Sequence, residues 1–233
     1  MKKLFFFAAA MLAAVSMSAA TITFDADTLN HKEAGAWSDG YIWANSDLVV
    51  TLNDPYAKIK VSANNCYFGD DQNQIKLQSR IQTGGKSDSK TDIEGLENTI
   101  NITVLKAGKL SIAARTGSNG ATDRNIVVKQ NSSELINHVL LESEAIKVAG
   151  LDGKDPAKET NVYPILSCNV NVGSVEISYP VNGINIYAIA IGDIEAALGD
   201  VEAEGAKAVK KMIDGQLVIE KGGKLYNALG AEL

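Results

Sequence analysis

Ile100-Asn101-Ile102-Thr103-Val104, Lys106-Ala107-Gly108-Lys109 and Leu110-Ser111-Ile112-Ala113 decide the fold class: apolar side chains return at every second position on both sides of a short polar turn. An extended strand points successive side chains to opposite faces, so period two marks a half-buried strand. Two such runs around a Gly-bearing turn predict a β-hairpin. The alternation continues outward through Leu48–Leu52, Ile59–Val61, Ile75–Leu77 with Ile81, Ile126–Lys129, Leu135–Leu140, Val175–Tyr179 and Ile184–Ile191. Gly, Asn, Asp and Ser separate these runs. In the last of them Ile184, Ile186, Ala188 and Ala190 are expected to share one face. About ten strands with turn signals every 8–12 residues predict an antiparallel, jelly-roll-like β-sandwich. No helical pattern lies between consecutive strands, which argues against a parallel βαβ sheet. Period two also predicts that each sheet buries one face and wets the other.

The chain has 233 residues, 45% hydrophobic and 21% charged, which is globular rather than disordered composition. Its formal charge of −6 argues against a general binder of nucleic acid or anionic membranes. His31 and His138 are the only histidines, which leaves little imidazole for acid–base or metal chemistry. Met1-Lys2-Lys3, an uncharged stretch from Leu4 to Val15 and Ser16-Met17-Ser18-Ala19-Ala20 read as a signal peptide over residues 1–20. The apolar run is shorter than the ~20 residues that span a bilayer. Cleavage after Ala20 removes two lysines and takes the charge from −6 to −8. The expected product is exported and has no membrane span; its location is periplasmic, cell-surface or extracellular.

Cys66 and Cys168 are the only cysteines. In an oxidising compartment they could close one disulfide; the alternative is two buried free thiols acting as small apolar groups. Residues 21–192 are expected to form the sandwich, and 193–211 a linker with partial helical spacing interrupted by Gly199 and Gly205. In the 212–233 tail, Gln216–Lys221 and Lys224–Ala228 flank Gly222-Gly223, a pair suited to the positive φ angles of a two-residue hairpin turn.

The segment Met212–Gly230 resembles the short C-terminal hairpin tails of exported proteins from Bacteroidetes-type bacteria, which implies a surface-sorting role. A second likeness covers the body. Lys109-Leu110-Ser111-Ile112-Ala113-Ala114-Arg115-Thr116-Gly117-Ser118 leads into Arg124-Asn125-Ile126-Val127-Val128, with Gly183-Ile184-Asn185-Ile186-Tyr187-Ala188-Ile189 far downstream. This pattern resembles the non-catalytic β-sandwich modules attached to secreted pectate lyases and related polysaccharide-degrading enzymes. The resemblance implies a jelly-roll-like, carbohydrate-binding-like fold.

Catalytic motifs are missing: there is no HExxH, no GxSxG and no GxxxxGK[ST] loop, and Gly84-Gly85-Lys86-Ser87 lacks the phosphate-loop spacing. Asp25/Asp27, Asp70-Asp71 and Glu142/Glu144 are carboxylate pairs of the type a glycosidase needs, but 28 acidic residues make chance pairs common. Phe24–Asp27 and Gly69–Asn73 gather hard oxygen ligands compatible with a structural calcium, with polar turn chemistry as the default. No other cofactor is expected. A sugar presents apolar C–H faces and a hydroxyl rim, so its site needs an aromatic platform with hydrogen-bonding neighbours. Trp37, Tyr41, Arg80, Arg115 and Arg124 are the candidates, while Trp43 reads as core. Arg115 and Arg124 flank one loop and either converge on a ligand or pair with acids, the second being the default. The expected function is a secreted, non-catalytic module for polysaccharide or glycan. The alternatives are a structural or adhesive surface protein making protein contacts and, third, a polysaccharide lyase or hydrolase.

Overall fold

The computed structural model describes residues 21–24, 42–87, 97–151, 153 and 155–194, with the backbone of three strands within 209–227. The expectations for the signal peptide, Trp37, Tyr41, Asp25, Asp27 and the middle of the linker lie outside these residues. The chain divides into two compact units, residues 1–196 and 197–233.

Among its described residues the first unit is all β with one short 3-10 turn at Glu142–Glu144. Its strands in chain order are β1 (Thr21–Thr23), β2 (Ile42–Ala44), β3 (Leu48–Asn53), β4 (Lys60–Gly69), β5 (Gln74–Gln82), β6 (Thr99–Val104) and β7 (Gly108–Thr116). There follow β8 (Asn125–Gln130), β9 (Ser133–Val139), β10 (Ile146–Ala149), β11 (Glu159–Tyr163), β12 (Leu166–Val170), β13 (Gly173–Ser178) and β14 (Ile184–Ile191). The larger, eight-stranded sheet runs β10-β11-β4-β5-β14-β7-β12, with β1 also paired to β14. The smaller, six-stranded sheet runs β2-β3-β6-β13-β8-β9. Leu48, Val50, Leu52, Ile100, Ile102 and Val104 of the smaller sheet share one core with Val61, Ile81, Leu110 and Ile112 of the larger. The all-β sandwich expected from period two is thus the fold. All pairings in it are antiparallel except β11–β4, which is parallel.

Three expectations change. The run 100–113 is not a hairpin: β6 pairs with β3 and β13 in the smaller sheet, β7 with β12 and β14 in the larger. The backbone N–H groups of Leu105 and Lys106 both donate to Asp47 O, at 2.8 and 3.2 Å, so the turn is tied to the β2–β3 connection and crosses between sheets. Second, Ile184, Ile186, Ala188 and Ala190 do not share a face. Ile186 pairs with Ala114 and Ala188 with Ala113, leaving Tyr187 as an extra residue. A one-residue bulge reverses side-chain parity beyond it. Ile184, Ile186, Ile189 and Ile191 therefore enter the inter-sheet core, while Tyr187, Ala188 and Ala190 face outward. Third, the outer face of the larger sheet is not wet throughout. Cys66, Phe68, Leu77, Ala113, Tyr163 and Tyr187 form a second buried cluster there, which explains why every residue of β14 is buried.

Both cysteines are free: Cys66 lies in the outer cluster and Cys168 packs against the inter-sheet core. Trp43 packs on that core as expected, edge-on to Phe24 with ring centroids 4.9 Å apart. No helix among the described residues is long and apolar enough to cross a membrane.

The second unit is a three-stranded antiparallel sheet, β15 (Val209–Ile213), β16 (Gln216–Lys221) and β17 (Lys224–Asn227). Lys221 pairs with Lys224 around Gly222-Gly223, as a two-residue hairpin requires. Ile213 pairs with Gln216 around Asp214-Gly215, another favoured turn dipeptide, so Val209–Lys211 form a strand rather than the end of a linker.

Candidate functional site

Three central strands bring polar side chains to one end of the larger sheet. Gln82 of β5 pairs with Asn185 of β14, which pairs with Arg115 of β7. Directly opposed residues of an antiparallel ladder share a face, so these three form one row. Their neighbours Ile81, Ile186 and Ala114 point into the inter-sheet core, which places the row on the outer face.

Beyond the row the strand ends close a recess of about 250 Å³, lined by Gln82, Asn182, Asn185, Arg124, Gly117 and Gly183, among others. Thr83 holds its wall together: Thr83 N–H donates to Ile184 O at 3.2 Å, and Ile184 N–H donates to Thr83 Oγ1 at 2.9 Å. The chain then turns at Gly84 with φ +69°, where a Cβ would stand 2.3 Å from Lys58 O. At Gly117 a Cβ would lie 2.5 Å from Gly183 O and 2.7 Å from Arg124 Nη1. Only glycine lets the Arg124 guanidinium approach and donate to Gly183 O, at 2.7 Å. Asn182 Oδ1 accepts from Gly183 N–H at 2.8 Å, and Asn185 Nδ2 donates to Thr116 O at 3.1 Å. Arg124 Nε and Asn185 Oδ1 are buried and have no partner. No aspartate or glutamate lines the recess among the described residues.

Arg80 and Arg115 lie on the same face of the sheet but are held by its outer cluster. Arg80 Nε donates to Ser62 Oγ at 3.2 Å. Arg115 Nη2 donates to Asn119 Oδ1 at 2.6 Å and lies 3.5 Å from Glu142 Oε2, with the guanidinium 4.7 Å above the Tyr163 ring. Glu142 also accepts from Asn161 Nδ2 at 3.0 Å and from the Tyr163 hydroxyl. Tyr187 OH donates to Asn64 Oδ1 at 2.6 Å. Burial pushes the Cys66 thiol and the Tyr187 hydroxyl up from their ordinary pKa values, with the Arg115 charge opposing both. Tyr163 is pushed up by burial first and by its bond to Glu142 second. All three groups therefore stay protonated near neutral pH.

Of the five candidate residues, the structure describes Arg80, Arg115 and Arg124. Arg115 pairs with an acid, as its default reading has it. Arg124 binds a backbone carbonyl instead, because the Gly117–Gly183 approach brings that carbonyl to it. The Glu142/Glu144 pair is split: Glu142 faces Arg115, while Glu144 Oε1 lies 2.9 Å from His138 Nε2 and Oε2 accepts from Leu141 N–H at 3.1 Å. Asp70 performs turn chemistry, with Oδ1 accepting from Gln72 and Asn73 N–H at 2.9 and 2.8 Å. No group of three His, Cys, Asp or Glu residues suited to a metal occurs among the described residues. Sequence reasoning missed Gln82, Asn182 and Asn185. The signal for Asn185 was present: it is the one amide in the otherwise apolar run 184–191.

No protein-family model matches the chain, and no curated protein matches it.

Proposed function

We propose that the protein is an exported, non-catalytic module that binds polysaccharide or glycan. The recess at the end of the larger sheet carries this reading. It offers a guanidinium and three side-chain amides on a glycine-rich floor, which is hydrogen-bonding capacity with no carboxylate among the described residues that line it. The buried hydroxyls and thiol of the outer cluster are held in their protonated forms, which suits a supporting layer better than a reactive one. The likeness of Lys109–Ser118 and Gly183–Ile189 to modules of polysaccharide-degrading enzymes points the same way, and the jelly-roll-like topology belongs to this reading.

Retention on insoluble polysaccharides tests it. The folded protein should be retained by at least one glycan, and Arg124→Ala should lower retention while Trp37→Ala reports whether an aromatic platform takes part. No retention across a broad glycan panel, together with a tight protein complex on sizing, would overturn the reading in favour of an adhesive role.

A further inference from the structure

Asn-Gly occurs twice in the chain, as Asn119-Gly120 and Asn182-Gly183. Glycine has no Cβ to shield its backbone nitrogen, so at this dipeptide the nitrogen can reach the carbon of the preceding side-chain amide. The two pairs are held differently. Asn119 Oδ1 accepts from Arg115 Nη2 at 2.6 Å, so reaction there must first break a charge-assisted bond. Asn182 Oδ1 accepts from Gly183 N–H itself, at 2.8 Å. The donor sets the amide orientation: an N–H must face oxygen, which leaves Nδ2 on the other side of Cγ. The ring closed by this bond contains every atom of the cyclic imide that Gly183 N and Asn182 Cγ would form. Reacting atoms held close together meet a lower barrier.

The surroundings suit the same reaction. Asn182 is exposed, so ammonia lost from its amide departs into water. Asn182 and Gly183 lie between β13 and β14, outside both strands. Arg124 Nη1 donates to Gly183 O at 2.7 Å, which places a positive charge beside the nitrogen that must lose its proton. We propose that Asn182 is a site of self-modification, converting to aspartate and isoaspartate in preference to Asn119. Gly183 N gives its proton to hydroxide and bonds to Asn182 Cγ. The Cγ–Nδ2 bond breaks, and Nδ2 takes a proton from water and leaves as ammonia. The resulting succinimide takes up one water. Opening between Cγ and nitrogen gives aspartate; opening between the main-chain carbonyl and nitrogen gives isoaspartate, whose backbone runs through Cγ. Either product adds a carboxylate to a recess that has no aspartate or glutamate in its described lining. Isoaspartate also lengthens the backbone where Gly183 has little room, since a Cβ there would stand 2.8 Å from Gly85 N. The reaction needs only water, so it proceeds whether or not the recess holds a glycan.

The test is peptide mapping by mass spectrometry of the full chain aged in mildly alkaline buffer, folded and, in parallel, in urea. Trypsin puts the two sites on separate peptides, bounded by Arg115 and Arg124 and by Lys158 and Lys207. In urea both asparagines should convert at similar rates. In the folded chain Asn182 should convert about tenfold faster than Asn119, which has to release its Arg115 bond first. Isoaspartate should appear in the Asn182 peptide alongside aspartate. Equal conversion at the two sites of the folded chain, or faster conversion at Asn119, would overturn the assignment. The same preference in urea would trace it to local sequence and remove the fold from the explanation. Asn182→Gln, a change at an exposed side chain, should abolish the fast phase of ammonia release; a fast phase that persists would place the reaction elsewhere.

Discussion

The larger sheet is buried twice, and its two faces are buried by different means. Its inner face meets the smaller sheet through Ile, Val and Leu almost alone. Its outer face carries a second cluster, built largely from the sheet's own outward side chains, in which aromatic rings also carry hydrogen bonds: Phe68 lies 5.0 Å from Tyr187 and 5.9 Å from Tyr163, centroid to centroid. Two sheets can pack by alternation and volume, because their backbone groups are already satisfied within the ladders. The 3-10 turn at Glu142–Glu144 lies outside the ladders and is held by directional contacts. Tyr163, Asn161 and Arg115 all converge on Glu142 and supply them.

The sharpest way to break this comparison is to cut each face. Ile102→Ala and Ile112→Ala, both fully buried in the inter-sheet core, should each lower unfolding stability by about 2–5 kcal/mol in urea titration. Glu142→Gln should cost less, about 1–2 kcal/mol, because charge-assisted bonds to Tyr163 and Asn161 weaken while packing survives. Hydrogen exchange should then rise mainly in residues 140–165; equal rise in the smaller sheet would mean that the two faces are not energetically separate. Tyr187→Phe removes one hydroxyl bonded to Asn64 and should cost about 1 kcal/mol.

Alkaline pH sharpens the contrast further. Tyr163 and Tyr187 have folded-state pKa values above their ordinary 10.0, and Cys66 above 9.0, with burial as the main cause. A raised folded pKa contributes stability that is complete below the ordinary value and lost as pH rises through the folded one. Melting temperature should therefore fall steeply above pH 10, and less steeply in Tyr187→Phe. Tyr179 in the inter-sheet core adds to the same trend, so the variant should soften the slope rather than abolish it. An unchanged slope would refute the assignment. The smallest effect belongs to Asp70, whose pKa is lowered by the Asn73 and Gln72 N–H donors at the β4–β5 turn. Its contribution is present above the ordinary 3.8 and fades as pH falls, so Asp70→Ala should lower the melting temperature slightly at neutral pH and match wild type in acid.

Alternation revealed the strands of the inter-sheet core, because one buried face per sheet is what period two records. It was silent on β10–β12, where Ile146–Ala149, Glu159–Tyr163 and Leu166–Val170 mix exposed, half-buried and a few buried side chains. It also misassigned the second half of β14. The bulge at Tyr187 lies inside an unbroken apolar run, and apolar residues on both faces hide a change of parity. The Ile100–Ala113 hairpin failed for a related reason: a turn between alternating strands looks the same whether it closes a hairpin or crosses between sheets. What separates the two is the Asp47 carbonyl, which holds Leu105 and Lys106 from far upstream in the chain and is invisible to any local window. The candidate site was legible in its cations and illegible in its amides. Arg124 stood out by rarity, whereas Gln82 and Asn185 matter because the ladder register lines them up.

One short strand has a consequence for how the molecule comes together. Thr21–Thr23 pair with Ala188–Ala190, while Ile81 and Gln82 pair with the first half of the same strand. The edge of β14 is thus completed by the opposite end of the domain. A nascent chain cannot seal the larger sheet until its last sandwich strand has been made, so closure must follow synthesis rather than accompany it. Contacts that join distant parts of a chain slow folding, and the final seam of this sandwich joins its two ends.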